Sequence, residues 1–497
     1  MMGDDIGERP RGLGIAAALA LAIVVTALAT ATLLEGPSLD DYWTVYLADP
    51  ARSLDALINE RWIQDIRPPL FDGWATLLSR IGLTSIPIAR LVSNLPAIVL
   101  LVYAARCFGR RLPEHGSFHT IFLLLMLSTP ATAQAFGVYR GDFWQLASFA
   151  IQVMLTRHIM YVQKDYRSRD DGLLALLALP ATFFAITLDY GGALFGGVLA
   201  MVTILAAIAR GLKRWTRWLA IVTMAAVATV IYTISWQNSA WIGSFDLYQN
   251  WIEMGNGSTF SVVFALLFGT ILHNPIAVAG AWLGRQRWTR GDTGFAVLIA
   301  AALAASLMAV TQIDAQRRLV TSSNTADIAV LVVALMATAG TMIADRRLWM
   351  NALTAIAALS TIVAVTAHSL GGAWQTAAKQ IARIALECPG TPVYAASGWR
   401  LDDGSKSRAA RREEPVFTLG YKRLGTTHGF NPVILHPDKP LAATPGRCPV
   451  LIWIEQVPPM KRIKTEKLFQ QVGITGLDRA KISLTRTKSG LIVRADR

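Results

Sequence analysis

From Gly12 to Leu34 the chain consists almost wholly of Ala, Leu, Ile, Val and Thr and carries no charged side chain. At about 1.5 Å per residue, a helix of that length crosses the roughly 30 Å hydrocarbon core of a bilayer. Apolar runs of similar length recur at 86–105, 118–137, 143–160, 172–189, 191–209, 218–236, 259–282, 293–311, 326–343 and 349–370. Inside lipid every backbone polar group must be satisfied internally, which favours the helix for such runs. The expected fold class is an α-helical polytopic membrane protein with about eleven transmembrane helices. A cleavable signal competes for the first run, but the run outlasts the usual ~7–15-residue apolar core and no clear small-x-small site follows. A retained anchor is expected.

Composition points the same way, with 16% of residues charged where soluble proteins carry about 25%. The net charge of +14 would also suit a nucleic-acid partner, so the placement of the charges decides. With the N-terminus inside, the head, 106–117, 157–171, 210–217, 283–291 and 344–348 hold 18 Lys and Arg. The other side, 35–85, 138–142, 188–192, 237–258 and 312–325, holds seven. This is the positive-inside pattern of a multi-pass bacterial inner-membrane protein with a cytoplasmic N-terminus. It accounts for the basic character without nucleic acid, and no basic segment carries a nucleic-acid-binding motif.

The expected organisation is a membrane domain over 1–374, including a long external loop at 35–85, followed by an α/β domain over 375–497. In the latter, charge is mixed and short apolar stretches such as Pro392-Val393-Tyr394 and Val450-Leu451-Ile452-Trp453-Ile454 read as strands. A helix-like stretch at 461–472 and a hairpin-like pair at 481–494 complete it. Eleven spans put this domain in the periplasm, where a Cys388–Cys448 bridge and two buried thiols are both open readings.

In a polytopic chain the informative ionisable residues lie where they are costly, or on the face the charge rule leaves bare. The loop 35–85 opens Ser38-Leu39-Asp40-Asp41-Tyr42-Trp43 and later reads Asp65-Ile66-Arg67-Pro68-Pro69-Leu70-Phe71, an amphipathic start suited to the membrane surface. Asp40 reads either as a helix cap or as a carboxylate able to take a proton at the lipid–water boundary. At the next external turn, Tyr139-Arg140-Gly141-Asp142, a local Arg140–Asp142 pair competes with substrate contact. At Asp314-Ala315-Gln316-Arg317-Arg318, the two arginines can fork onto a phosphate or anchor to headgroups. Trp241, Phe245, Tyr248 and Trp251 read as an interfacial belt, with Asp246 and Glu253 as minor acidic candidates. The histidines are too scattered for a metal set, and no phosphate-cradling Walker pattern occurs.

The order of these pieces carries a family resemblance. An apolar first span, the pair Asp40-Asp41 followed by aromatics, and Pro68-Pro69-Leu70 come first. Then Ile88-Ala89-Arg90-Leu91-Val92-Ser93-Asn94-Leu95-Pro96 leads a span that ends Gly109-Arg110-Arg111. Together they resemble the GT-C glycosyltransferases, most of all the branch of protein O-mannosyltransferases and lipid A aminoarabinose transferases. The likeness is best over 13–160. It implies that Asp40 and Asp41 form the catalytic acidic pair, Asp40 foremost. It further implies that Arg67, Arg90, Arg140, Asp142, Arg317 and Arg318 contact substrate. Arg67 stands where the family often has His, and Asp41 where many relatives have Glu.

The function so implied is transfer of a sugar from a polyprenyl-phosphate donor to an envelope acceptor on the periplasmic face. The implied partners are that donor, the acceptor and membrane lipids. The sequence requires no cofactor and leaves a divalent metal open. A transporter or flippase of envelope intermediates, or a non-enzymatic envelope assembly protein, is the alternative reading.

Overall fold

The computed structural model describes residues 11–65, 67–111, 116–162, 171–237, 288–317, 326–340, 373–401, 406–443, 445–455, 465–478, 481–487 and 489–496, with isolated helical positions at 264–271 and 355–366. The protein is mostly helical. After α1 (Arg11–Leu34), the segment 35–85 folds as α2 (Leu39–Leu47), α3 (Leu54–Ala56) and α4 (Leu70–Arg80). The bundle continues with α5 (Ile86–Arg111), α6 (Gly116–Leu127), α7 (Pro130–Phe136), α8 (Asp142–Tyr161), α9 (Asp171–Thr187), α10 (Tyr190–Ala209) and α11 (Lys213–Trp236), then α12 (Arg290–Arg317) and α13 (Ala326–Gly340).

Among the described residues, five helices are long and apolar enough to cross a membrane: Ala17–Leu34, Ile86–Arg111, Tyr190–Ala209, Lys213–Trp236 and Arg290–Ile313. Shorter apolar helices cover Phe118–Leu127, Gly172–Thr187 and Ala326–Gly340. The expected runs at 259–282 and 349–370 lie largely outside the described residues. The run expected at 118–137 is two helices, because Pro130 lacks an N–H and the Thr129 side chain instead caps a new helix from Thr132 N.

Helix α8 is the axis of the bundle and is buried along nearly its whole length. Its polar residues face neighbouring helices: Gln152 donates to Gly196 O at 3.1 Å, and Arg157 to Asp292 at 2.9 Å. The external segments of the charge analysis meet at one end, where Thr44 bonds Tyr139 O, Gln145 bonds Asp327, and Gln237 bonds the carbonyl oxygens of Trp62 and Arg67. Arg157, Tyr161, Arg210 and Asp292 gather at the opposite end. Helix α4 buries Phe71, Ala75 and Leu78 and exposes Leu70, Trp74 and Leu77 on the other face, the amphipathic form expected there.

The C-terminal part holds α14 (Ala373–Glu387), α15 (Lys406–His428), α16 (Thr465–Val472) and strands β1 (Val393–Ser397), β2 (Val433–Ile434), β3 (Leu441–Ala442), β4 (Val450–Glu455), β5 (Ile474–Thr475), β6 (Ile482–Arg486) and β7 (Gly490–Ala495). A five-stranded sheet runs β2-β1-β4-β7-β6. β1 is parallel to β2 and β4, and β7 is antiparallel to β4 and β6. The stretches read as strands and as a hairpin are therefore β1, β4 and β6–β7. Cys388 and Cys448 form a disulfide, with Cα atoms 5.7 Å apart. One face of this part packs on α2: Tyr42 lies in a buried cluster with Trp374, Phe417, Tyr421 and Trp453.

Candidate active site

Helix α2 starts with a capping box. Ser38 Oγ accepts from Asp41 N, and the Asp41 carboxylate accepts from Ser38 N at 2.6 Å. The cap is Ser38, not Asp40. Adjacent helical residues point about 100° apart, so the two acids separate at once.

Asp41 turns inward and is fully buried. Arg90 Nε and Nη2 fork onto its two oxygens at 3.0 and 2.6 Å, and Tyr139 N adds a bond at 2.8 Å. Burial by itself would raise this carboxyl, but the Arg90 charge and the hydrogen bonds from Arg90 and Ser38 outweigh it and hold the carboxyl below its ordinary range. The remaining Arg90 donors reach the carbonyl oxygens of Glu35 and Gly36 at 3.1 and 3.2 Å. The sequence reading groups Asp41 with the catalytic residues and Arg90 with the substrate contacts. The structure instead locks them together, tying the α1–α2 junction to α5 and to the turn at 139.

Asp40 turns outward. Its side chain is 50% exposed and its Oδ1 lies 2.6 Å from Arg140 Nη2. The local Arg140–Asp142 pair does not form. Asp142 instead takes Arg67 Nη1 at 2.7 Å, and Arg67 Nε lies 3.6 Å from Asp189. Burial opposes the Arg67 charge, but the surrounding carboxylates of Asp142, Asp189, Asp40 and Asp65 more than offset it and keep the guanidinium protonated. Two ion pairs between distant segments, Arg140–Asp40 and Arg67–Asp142, therefore stand where the sequence offers one local pair.

A small cleft beside the Arg67–Asp142 pair is lined by Gln134, Asp142, Gln145, Asp189 and Asp327 together with Ala131, Ala135, Leu146 and Ala326. Gln145 donates to Asp327 at 2.8 Å, and Asp189 caps α10 by accepting from Gly191 N at 2.7 Å. A Cβ at Gly192 would meet the Gln145 amide nitrogen at 2.4 Å, so this wall needs glycine there. Sequence reading does not single out Gln145, Asp189 or Asp327. Asp189 and Asp327 nevertheless sit, like Asp142, at span ends on the side poor in Lys and Arg, and that shared position was the available signal.

Near Arg67 and Arg140 lies Asp72, buried on α4, with an Oδ2 that makes no hydrogen bond among the described residues. Burial, then the nearby Asp65 charge, pushes its carboxyl well above the ordinary range, while Arg67 and Arg140 pull it part of the way back. Arg317 closes α12; its side chain, Arg318 and the aromatic loop with Asp246 and Glu253 lie outside the described residues. Among the described residues, no group of three or more His, Cys, Asp or Glu is arranged to hold a metal ion.

Chemically, this end of the bundle offers an accessible carboxylate, two guanidinium groups and a small cleft of mixed polar and apolar lining. No family model and no curated protein matches the chain. Among solved structures, ArnT from Cupriavidus metallidurans bound to undecaprenyl phosphate is similar at a TM-score of 0.52 and 14% identity, over 96% of this chain and 97% of that one. The same protein in the apo state is similar at 0.51, with the same identity and coverage. The chain thus has the fold of the ArnT structures, in agreement at that level with the GT-C resemblance carried by Asp40-Asp41, the paired prolines and Arg90.

Proposed function

We propose that this protein is a membrane glycosyltransferase that moves a sugar from a polyprenyl-phosphate carrier to an envelope acceptor at the periplasmic face of a bacterial inner membrane. One observation carries the reading. Asp40 is the exposed member of the acidic pair and faces the Arg140 guanidinium, in a fold shared over 96% of the chain with a protein crystallised with undecaprenyl phosphate.

In the proposed step, the acceptor O–H or N–H attacks the anomeric carbon. The bond from that carbon to the phosphate oxygen breaks, its electron pair leaves with the polyprenyl phosphate, and the acceptor proton passes to Asp40. The leaving group is already a phosphate, so one carboxylate suffices as base and guanidinium groups stabilise the developing charge. Arg140 is the best placed of these, with Arg317 and Arg318 assigned to the same phosphate from the sequence. Asp41 and Arg90 hold the base in place. Asp142 and Arg67 shape the cleft, whose carboxylates and amides suit sugar hydroxyls. The expected eleven spans, with the N-terminus inside and the 375–497 part outside, support a periplasmic position for this end.

The purified protein, given a synthetic polyprenyl-phosphate sugar and envelope extract, should release polyprenyl phosphate and label an acceptor. Asp40→Asn should lower the rate by about 10²–10⁴-fold with unchanged abundance in the membrane. A well-expressed Asp40→Asn protein of normal activity would refute the assignment.

A further inference from the structure

We propose that Gln237, at the end of α11, is the positioning residue for Arg67. It pins the backbone from which the Arg67 guanidinium reaches two carboxylates of the cleft, Asp142 and Asp189, and thereby sets the charge that an incoming donor meets. This rests on the transferase reading above and names a residue which that reading does not use.

Gln237 caps α11 and is fully buried. Its amide nitrogen donates to Trp62 O at 3.0 Å and to Arg67 O at 2.8 Å, and its amide oxygen accepts from the Tyr190 hydroxyl at 2.7 Å. The reverse orientation would set the amide oxygen against two carbonyl oxygens, so the three partners require this one. Both amide hydrogens are spent on the stretch that carries Trp62 and Arg67, and the oxygen on α10. A glutamine at a helix end has water and its own helix's carbonyls at hand, yet this one reaches a backbone 170 positions away.

These bonds close a ring. Arg67 Nη1 lies 2.7 Å from Asp142 and its Nε 3.6 Å from Asp189. Asp189 accepts from Gly191 N at 2.7 Å and immediately precedes Tyr190, which bonds Gln237, and Gln237 returns to the Arg67 carbonyl. Side chain and main chain of Arg67 are thus both tied to the start of α10. Pro68 follows, and a residue before proline is confined to extended backbone, so the place of the guanidinium depends on where the chain is pinned. The margin is narrow. The cleft lining holds Asp142, Asp189 and Asp327 and no Lys or Arg, and Arg67 is the cation paired with the first two. A shift of about 0.5 Å would carry the Asp189 contact, already at 3.6 Å, past the ~4 Å reach of an ion pair. Carboxylate charge would then face the donor phosphate, and like charges oppose binding. The helix of the base is held separately, through the bonds of Asp41 to Ser38, Arg90 and Tyr139.

The test is a double-mutant cycle on the binding of undecaprenyl phosphate to the full chain in detergent, using wild type, Gln237→Met, Arg67→Gln and the double variant. Methionine keeps the length and bulk of glutamine and removes all three bonds. Gln237→Met should weaken binding about threefold to tenfold, and Arg67→Gln by about tenfold or more. In the Arg67→Gln background, Gln237→Met should change nothing further, because the group it positions is gone. Additive losses would overturn the assignment, as would a Gln237→Met affinity equal to wild type. If Gln237→Met does not fold, Tyr190→Phe, which frees the same amide from α10, replaces it, and its effect must likewise vanish in the Arg67→Gln background. Kinetics separate positioning from lost fold: Gln237→Met should raise the donor KM with kcat held within about twofold, whereas a lowered kcat at unchanged KM would mean a purely structural role and overturn it. Failure of the transferase reading is separately visible. Wild type would then bind the lipid phosphate yet release none from a sugar-loaded carrier, and the binding cycle would still decide the role of Gln237. A wild type that binds no undecaprenyl phosphate would overturn both.

Discussion

Three carboxylates within 33 residues are driven to different states by their surroundings. Asp40 meets solvent and one guanidinium. Asp41 and Asp72 are both buried, and their pH dependences have opposite signs. For Asp41 the folded value is depressed, so the protein gains stability above the ordinary carboxylate range and loses it as the pH falls through the depressed value. Asp72 behaves in the reverse way: the folded protein keeps its proton to higher pH than the unfolded chain, so stability falls as the pH rises above about 4. Asp72→Asn removes that titration. Its melting-temperature advantage over wild type should therefore be absent near pH 4 and grow as the pH rises, up to about 1.4 kcal/mol per pH unit. A gap independent of pH would mean that Asp72 titrates like a solvated acid.

At the scale of elements, α2 is held from three directions: by its own cap, by Arg90 on α5, and by the turn between α7 and α8. Breaking a buried ion pair by removing one partner leaves an uncompensated charge and costs about 3–5 kcal/mol. Arg90→Met should show a loss of that size in detergent unfolding. Asp41→Leu combined with Arg90→Met should recover part of it, because no bare charge remains. Stability unchanged in Arg90→Met would show that the fork at 3.0 and 2.6 Å carries no weight. At the far end of the bundle, Arg157 and Asp292 join α8 to α12 in the same manner, with the Arg157 guanidinium 4.0 Å above the Phe118 ring.

At the scale of the whole molecule, the C-terminal part is a support for the helix that carries Asp40. Gly420 on α15 makes the close approach: a Cβ there would lie 2.6 Å from a Trp374 ring carbon and 2.9 Å from Tyr42 Cδ2. Both rings are buried, so Gly420→Ala must displace them, at a cost of about 1–3 kcal/mol. Tyr42 follows Asp40, the proposed base, by two residues, and small displacements of a base cost rate more than affinity. The expected result is a turnover number lowered about tenfold or more with little change in donor KM. A variant with wild-type turnover would show that the two parts act independently.

Hydropathy and charge are properties of a segment in isolation, and what depends on them was legible. That covers the described apolar helices, the two sets of loops that gather at opposite ends and the amphipathic α4, while the cap of α2 falls at Ser38 and not at the expected Asp40. Which acid faces solvent, and which cation it meets, was not legible. Those outcomes depend on the rotation of α2 about its axis and on the distance between chain segments in space. Neighbours on a helix cannot share a face, and Arg140 lies nearer in the folded chain to Asp40, a hundred positions away, than to Asp142 beside it in sequence. Sequence determined the solvent each segment prefers, because transfer to lipid is additive along the chain. Only the packing of α2 against α5, the 139 turn and the C-terminal core decided which side chains remain free to act.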